Sequence, residues 1–258
     1  MSFQGKEEHG MKQLIAFDLD GTLAQSKQAI DAEMAALLAR LTHVARVTVI
    51  SGGDWPQFEA QLVARLPDAA ALDRLWLMPT SGTKLYRFDG GWRQVYAENF
   101  DADERARILA ALDKAVAANG LDTDRSWGEK VEDRGSQITF SGLGQQAPLD
   151  AKKAWDPDFA KRKRLQATLT PLLPGFSVKI GGSTSLDVTR EGVDKAYGMR
   201  RLSEETGLPP AAILFLGDAV YPGGNDYPVR AAGIDTIAVR DIEESKRVIE
   251  AIIACLGV

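Results

Sequence analysis

Cysteine is almost absent from this chain. A single one, Cys255, in 258 residues excludes an internal disulfide, and with it the small secreted disulfide scaffolds. It stands beside Ile252 and Ile253 in an apolar C-terminal helical pattern, which predicts a packed core thiol rather than a nucleophile. Histidine is nearly as scarce, and neither His9 nor His43 falls at a metal-ligand spacing. No apolar run approaches the ~20 residues of a membrane span, and Met1 to Gly10 lacks the apolar core of a signal peptide. A cytoplasmic location with no membrane partner is therefore expected. Positive charge is not in excess either: the net charge of -5 gives no general reason to expect nucleic acid as a partner. Internal repeats and low-complexity tracts are missing too.

What the chain does contain is an apolar run that delivers two carboxylates, Ile15-Ala-Phe-Asp-Leu-Asp-Gly-Thr-Leu23. Residues two apart on an extended strand point to the same side, so Asp18 and Asp20 can face one site from one strand end. Like charges that close repel unless a cation lies between them, and a hard divalent ion with oxygen ligands is the usual solution. Taken alone, Asp-Gly-Thr is explained equally well as a polar strand-to-loop turn.

The rest of the chain carries the decision. Ile30, Met34, Leu37, Leu38 and Leu41 fall on one helix face, and Val47 to Ile50 reads as a second strand. That βαβ opening calls for a parallel sheet with right-handed crossovers. Trp55 to Leu66 reads as a helix and Leu75 to Met78 as a third strand. From about Phe88 the rhythm changes. Tyr86 to Tyr96 reads as a hairpin around Asp89-Gly-Gly91, and helical patterns at 103–119 and 158–169 no longer alternate one for one with the strand-like stretches 130–140 and 177–188. Such a segment suggests an α+β insertion with an antiparallel sheet. After Val188 the first pattern resumes, with a helix from Asp194 to Glu205, strands at Ile213 to Leu216 and Thr236 to Val239, and a final helix. The expected architecture is α/β: a Rossmann-like parallel-sheet core at 11–87 and 188–258, interrupted by an α+β cap domain at 88–187. Residues 1–10 are expected to be an extension or a disordered segment ahead of a natural start at Met11.

Ligands bind at the carboxyl ends of strands in open α/β sheets, and the polar residues collect there. Asp18 and Asp20 close the first strand, Ser51-Gly52-Gly53 the second, and Gly217-Asp218 the strand from Ile213, followed by Pro222-Gly-Gly-Asn225-Asp226. Asp218 is a third acid able to reach a metal held by the first two. Carboxylates with a divalent cation at a sheet edge form a phosphoryl-transfer kit: the ion neutralises phosphate charge, and a carboxylate can attack phosphorus to give an acyl phosphate. Lys195, at a helix start, and Ser51 supply the fixed cation and the hydroxyl this chemistry also needs.

In this order and at these places, the four segments resemble the motifs of the haloacid dehalogenase (HAD) superfamily. The resemblance implies Asp18 as nucleophile and Asp20 as general acid/base. It implies Mg²⁺ held by Asp18, the backbone carbonyl of Asp20 and Asp218, and phosphate held by Ser51, Gly52 and Lys195. Asn225 and Asp226 would complete the shell, Asp226 either touching the metal or orienting Lys195. The position of the insertion is similar to the class with a large α/β cap, the Cof-type or class IIB members. Within it, Glu191-Gly-Val-Asp-Lys195, the segment from Gly181-Gly182 to Ser185-Leu-Asp187, and Pro222 to Asp226 resemble the eukaryotic-type phosphomannomutases. That resemblance spans Leu14 to about Val239 and implies Arg134, Ser185 and Asp187 as cap ligands of the substrate's distant phosphate.

The departures bear on the reaction. Two positions where that family places phosphate-gripping arginines fall on Trp127 and Gln145, and Ile50-Ser-Gly-Gly-Asp54 fits the general superfamily better than the mutase variant. A mutase must grip a bisphosphate in either orientation, and losing bidentate, charge-assisted partners weakens that grip. A phosphatase has no such requirement. The favoured expectation is thus Mg²⁺-dependent hydrolysis of a sugar phosphate or similar small phosphate ester through an aspartyl phosphate. The alternative is a mutase interconverting mannose 1-phosphate and mannose 6-phosphate, and a third reading is a catalytically silent phosphosugar-binding module. The partner in each case is a small phosphorylated molecule, and a homodimer through the cap is left open. Lys161-Arg-Lys-Arg164 is expected as a solvated helix face, and Trp92, Trp127 and Trp155 as packing.

Overall fold

The computed structural model of the protein describes residues 11–123 and 125–257; the expected extension at 1–10 lies outside the described residues. The chain begins with β1 (Leu14–Asp18), α1 (Ala32–Val44), β2 (Arg46–Ile50), α2 (Trp55–Gln61), β3 (Leu75–Met78), β4 (Lys84–Phe88) and β5 (Trp92–Ala97). It continues through α3 (Ala102–Ala118), β6 (Val131–Asp133), β7 (Ile138–Ser141), α4 (Leu149–Trp155), α5 (Ala160–Leu169), β8 (Phe176–Ile180) and β9 (Ser185–Arg190). It closes with α6 (Lys195–Thr206), β10 (Ile213–Gly217), α7 (Tyr227–Ala231), β11 (Asp235–Ala238) and α8 (Ile242–Leu256). Two compact units result: one runs to Tyr96 and resumes at Asp194, and the other is Ala97–Val193.

The first unit is built on a seven-stranded sheet of order β11-β10-β1-β2-β3-β4-β5. β11, β10, β1, β2 and β3 are parallel, and β4 joins β3 antiparallel. Every residue of β1 is buried, as a near-continuous apolar strand covered on both faces must be. Alternate side chains serve opposite layers. Ile15, Phe17, Val47 and Val49 pack with Leu38, Leu41 and Ile249 from α1 and α8, while Leu14, Ala16, Ile50 and Phe215 pack with Met199 and Leu202 from α6. On the first layer, Lys246 of α8 donates to Asp31 at 2.8 Å, Glu33 at 2.7 Å and Glu243 at 2.8 Å. Asp31 also caps α1 by accepting from Met34 N at 2.8 Å, so one buried ammonium fastens the two helices at their N-terminal ends.

The second unit carries an antiparallel sheet of order β6-β7-β9-β8. Its apolar face, with Phe140, Leu186 and Val188, packs against Ile108, Leu112 and Ala115 of α3 and Leu165 and Leu169 of α5. α3 opens on a reciprocal capping box between Asp101 and Glu104.

Four expectations are corrected. The β4–β5 hairpin extends the core sheet instead of opening the cap, because Tyr86 stacks on Trp55 at 4.2 Å and Trp92 packs against the same indole. The units therefore divide after Tyr96, not at residue 88. At the other end β9 continues to Arg190, whose guanidinium binds Glu104 and the carbonyls of Glu98 and Asn99, and the division falls after Val193 rather than at 187. Cys255 is exposed, since the packed stripe of α8 runs through Ile249, Ile252, Ile253 and Leu256. Finally, Arg162 leaves the solvated run: it is 2 % exposed and paired with the equally buried Asp156. Trp155 is buried in the core of the second unit.

Candidate active site

The sheet register places the polar strand ends side by side. Asp18 is the last residue of β1 and pairs with Ile50, so Ser51 follows on the adjacent strand; Phe17 pairs with Leu216 of β10, which brings Gly217 and Asp218 alongside. Strand order reverses around β1, the usual location of a ligand crevice. Oxygen atoms of Asp18, Asp218 and Asp226 lie within 4.8 Å of one another, Asp18 and Asp226 buried and Asp218 exposed. The turn after β1 allows this approach because it carries a glycine. Gly21 has φ +93°, and a Cβ there would stand 2.5 Å from Asp218 Oδ2.

Lys195 enters from the first position of α6, where Asp194 caps the helix by accepting from Tyr197 N at 2.8 Å. Its Nζ donates to Asp18 Oδ1 and Asp226 Oδ1, each at 2.5 Å, and the second oxygen of Asp226 accepts from Ala219 N at 3.0 Å. Asp226 thus orients Lys195 directly, one of the two roles left open by the sequence. Burial, reinforced by the neighbouring Asp226 and Asp218 charges, pushes the Asp18 carboxyl up to about 7 against the pull of Lys195. Burial opposes the charge on Lys195 as well, but the two carboxylates beside it hold its pKa above the ordinary lysine value.

Three carboxylates meeting one ammonium leave the crevice with uncompensated negative charge and an all-oxygen donor set. A hard divalent cation such as Mg²⁺ fits that set, with Asp18, Asp218 and Asp226 as the side chains in reach. Ser51 is buried and its Oγ accepts from Gly53 N at 3.3 Å, which leaves the hydroxyl proton to donate. A side chain at Gly52 would meet no protein atom within 4 Å, so its backbone borders open space. Asn225 is exposed on the loop leading to Asp226.

Asp20 belongs to a different network. Its Oδ1 accepts from Lys27 N at 2.7 Å and its Oδ2 from Gln57 Nε2 at 2.9 Å. Its side chain is absent from the carboxylate cluster among the described residues, so a metal role for Asp20 rests on its backbone carbonyl alone. Gln57 was not flagged by any motif; the Gln57–Gln61 pair one turn apart on a predicted helix was the available signal.

In the second unit, the three expected cap residues share the polar side of the sheet. Asp187 accepts from Thr139 Oγ1 at 2.7 Å, and burial raises its carboxyl while the Arg134 charge lowers it. Arg134, itself buried, donates to Glu132 at 2.6 Å. Ser185 Oγ and Asp187 Oδ2 lie 2.6 and 2.9 Å from where a Cβ on Gly181 would stand, so both border one glycine. Trp127 and Gln145 stand on neighbouring loops, the indole under the Arg125 guanidinium at 4.5 Å.

The sequence model of the eukaryotic phosphomannomutases matches residues 34–254. The chain belongs to the eukaryotic phosphomannomutase family. The match runs through both units, so it includes the insertion as well as most of the unit that carries the candidate site. A phosphomannomutase of Schizosaccharomyces pombe is 28% identical over 228 residues, covering 84% of this chain and 85% of that protein. Human phosphomannomutase 1 is 25% identical over 238 residues, covering 88% of each. Among solved structures, a haloacid dehalogenase-like hydrolase from Bacteroides thetaiotaomicron aligns over 93% of this chain and 99% of its own at TM-score 0.63 and 17% identity. The IMP-nucleotidase of Plasmodium falciparum aligns over 97% of this chain and 64% of its own at TM-score 0.71 and 15% identity. These structural likenesses show the fold alone: an α/β core with an inserted α+β unit.

Proposed function

We propose that the protein is a phosphosugar mutase of the phosphomannomutase type, moving a phosphoryl group between the 1- and 6-positions of a hexose through Asp18. The observation that carries this reading is the extent of the family match, 34–254. A phosphatase that shared only the superfamily's catalytic crevice would not be expected to match the mutases through the cap. The sequence-based preference for hydrolysis rested on Trp127, Gln145 and the strand end Ile50-Ser-Gly-Gly-Asp54, and a match that runs through both units weighs against it.

In this reading Asp18 attacks phosphorus as the ester bond breaks, and Asp20 gives a proton to the departing sugar oxygen. In the second half, the free hydroxyl of a hexose monophosphate attacks the aspartyl phosphate, Asp20 takes its proton, and the bond from Asp18 to phosphorus breaks, giving a hexose bisphosphate that turns and presents its other phosphate to Asp18. Lys195 presents a fixed positive charge to Asp18, and Ser51 with the backbone at Gly52 offers donors to the non-bridging oxygens. Mg²⁺, when bound at Asp18, Asp218 and Asp226, would neutralise phosphate charge and align the attack.

Hydrolysis is the second reading, and one observation favours it. Arg134 is already engaged with Glu132, while neutral Trp127 and Gln145 stand where the resemblance calls for arginines, so the cap's hold on a second phosphate is reduced. The test is incubation with mannose 1-phosphate, Mg²⁺ and a catalytic amount of a hexose bisphosphate, with mannose 6-phosphate and free phosphate both followed. Interconversion well ahead of phosphate release supports the mutase; phosphate release without interconversion overturns it.

A further inference from the structure

We propose that Gln57 is the positioning residue for Asp20: with Gln61, Gly53 and the turn at Lys27 it forms a clamp that holds the proton-transfer carboxylate by both oxygens. The proposal rests on the reading of Asp20 as the group that protonates the leaving sugar oxygen, and it deepens that reading by naming what keeps Asp20 in place.

The clamp is built from several independent pieces. Gln57 Nε2 donates to Asp20 Oδ2 at 2.9 Å and to Gln61 Oε1 at 2.8 Å. An amide nitrogen has two hydrogens, and both are spent on acceptors, which fixes the side chain with its nitrogen toward Asp20. Gln61 is itself buried and lies one helical turn behind Gln57 on α2. Space for the Gln57 amide is provided by Gly53, where a Cβ would stand 2.1 Å from Gln57 Oε1. The second glycine of Ser51-Gly-Gly is thereby explained by a close approach. From the other side the backbone N–H of Lys27 reaches Asp20 Oδ1 at 2.7 Å, and Lys27 adopts φ 58°, a left-handed conformation that is strained for a residue with a Cβ. A half-buried carboxylate served by a strained backbone donor and a pre-oriented amide is held in place, whereas a solvated carboxylate would rotate freely.

Function follows from geometry. Proton transfer by a positioned side chain contributes roughly 10²–10⁴-fold, and only when the departing atom needs a proton. An alkoxide leaving a sugar phosphate needs one; p-nitrophenolate leaving an aryl phosphate does not. A residue acting through Asp20 must therefore distinguish the two substrates, and a residue that merely holds α2 together must not.

The experiment compares wild type, Gln57→Met, Asp20→Asn and the double variant, each with Mg²⁺. It measures kcat/KM for a hexose phosphate and for p-nitrophenyl phosphate, with thermal midpoints recorded alongside. Methionine keeps the length and packing of Gln57 while removing the donor. The expected result is a tenfold or greater loss on the hexose phosphate, less than threefold on the aryl phosphate, and no further loss when Gln57→Met is added to Asp20→Asn. Equal losses on both substrates, additivity with Asp20→Asn, or no loss on either overturns the clamp. If Gln57→Met fails to fold, Gly53→Ala, which displaces the amide without removing it, must give the same substrate-selective loss. Turnover of neither substrate by the wild type overturns the functional reading itself, and the clamp with it.

Discussion

A single methyl group added at Gly198 should cost more activity than stability. Gly198 lies on α6 three residues after Lys195, one turn away on the same face. A Cβ there would stand 2.4 Å from Ile50 Cδ1, 2.8 Å from Ser81 O and 3.2 Å from Gly82 Cα. The isoleucine methyl can rotate away. The Ser81 carbonyl cannot, because the turn that carries it is tied on every side: Thr80 N donates to Gly53 O and Ser81 N to Ser51 O, both at 2.9 Å, and Tyr96 Oη donates to Gly82 O at 2.9 Å. Ordinary carbon contacts begin near ~3.5 Å, so α6 must withdraw by roughly half an ångström or more. Alanine gains about 1 kcal/mol of helix propensity over glycine, and overpacking costs about 1–3 kcal/mol. The net change is a loss of up to ~2 kcal/mol, visible as a modest fall in denaturation midpoint. The displaced helix carries Lys195, whose two bonds are 2.5 Å long, and a misplacement approaching 1 Å can cost about 10²-fold in rate. Chemical denaturation and steady-state phosphoryl transfer measure the two effects on one preparation. A Gly198→Ala protein that is more stable than wild type and equally active would refute the reasoning, because propensity alone would then explain it.

Lys195→Met strips the ammonium from two buried carboxylates and should destabilise the metal-free protein by about 3–5 kcal/mol at neutral pH. The Asp18 pKa of about 7 includes the downward pull of Lys195, so removing the ammonium raises it further, and the deficit should shrink as pH falls towards about 7 in denaturant titrations, where the variant's carboxyl is protonated ahead of the wild type's. Asp156→Asn should destabilise the protein by a similar amount. Burial works against the Asp156 charge, but the Arg162 side chain and the backbone amides of Lys161 and Arg162 hold its pKa below the ordinary aspartate value. That contribution is present above the unfolded value and is lost as pH falls through the folded one, so the difference from wild type should shrink as the solution is acidified below the ordinary carboxylate range. Ser81 adopts φ 58° and ψ 30°, where asparagine is better tolerated; Ser81→Asn should raise the denaturation midpoint by the equivalent of ~0.5–1 kcal/mol, part of the ~1–2 kcal/mol left-handed penalty.

The gathering of the candidate-site residues was legible in the sequence because they sit at the ends of periodic elements. Apolar runs end at Asp18, Ser51 and Gly217, and an amphipathic helix begins at Lys195, so the register of a parallel sheet brings them together without further information. Partners joined only in three dimensions were not legible. Gln57 meets Asp20 across 37 positions, and the only trace in the sequence is its pairing with Gln61 one turn on, which does not say what the pair contacts. The same limit produced the corrections. Arg162 looks like one charge in a basic run until Asp156, six residues earlier and itself off the helix, turns inward to cap α5 and pair with it. The hairpin at Tyr86 to Tyr96 carries strand signals that suit either unit, and the stack on Trp55 assigns it to the core. The reaction type was the least legible feature: departures at Trp127, Gln145 and the strand end Ile50-Ser-Gly-Gly-Asp54 pointed to hydrolysis, whereas the family match extends over 34–254.

The central claim is that phosphoryl transfer passes through Asp18, and trapping the intermediate tests it most directly. The protein is mixed with Mg²⁺ and a hexose bisphosphate, quenched within a turnover, reduced with borohydride and digested for mass spectrometry. Reduction converts an aspartyl phosphate to homoserine. The account predicts homoserine at position 18, absent without substrate and absent in Asp18→Asn. Turnover with unmodified Asp18, or with the label at another residue, would contradict it.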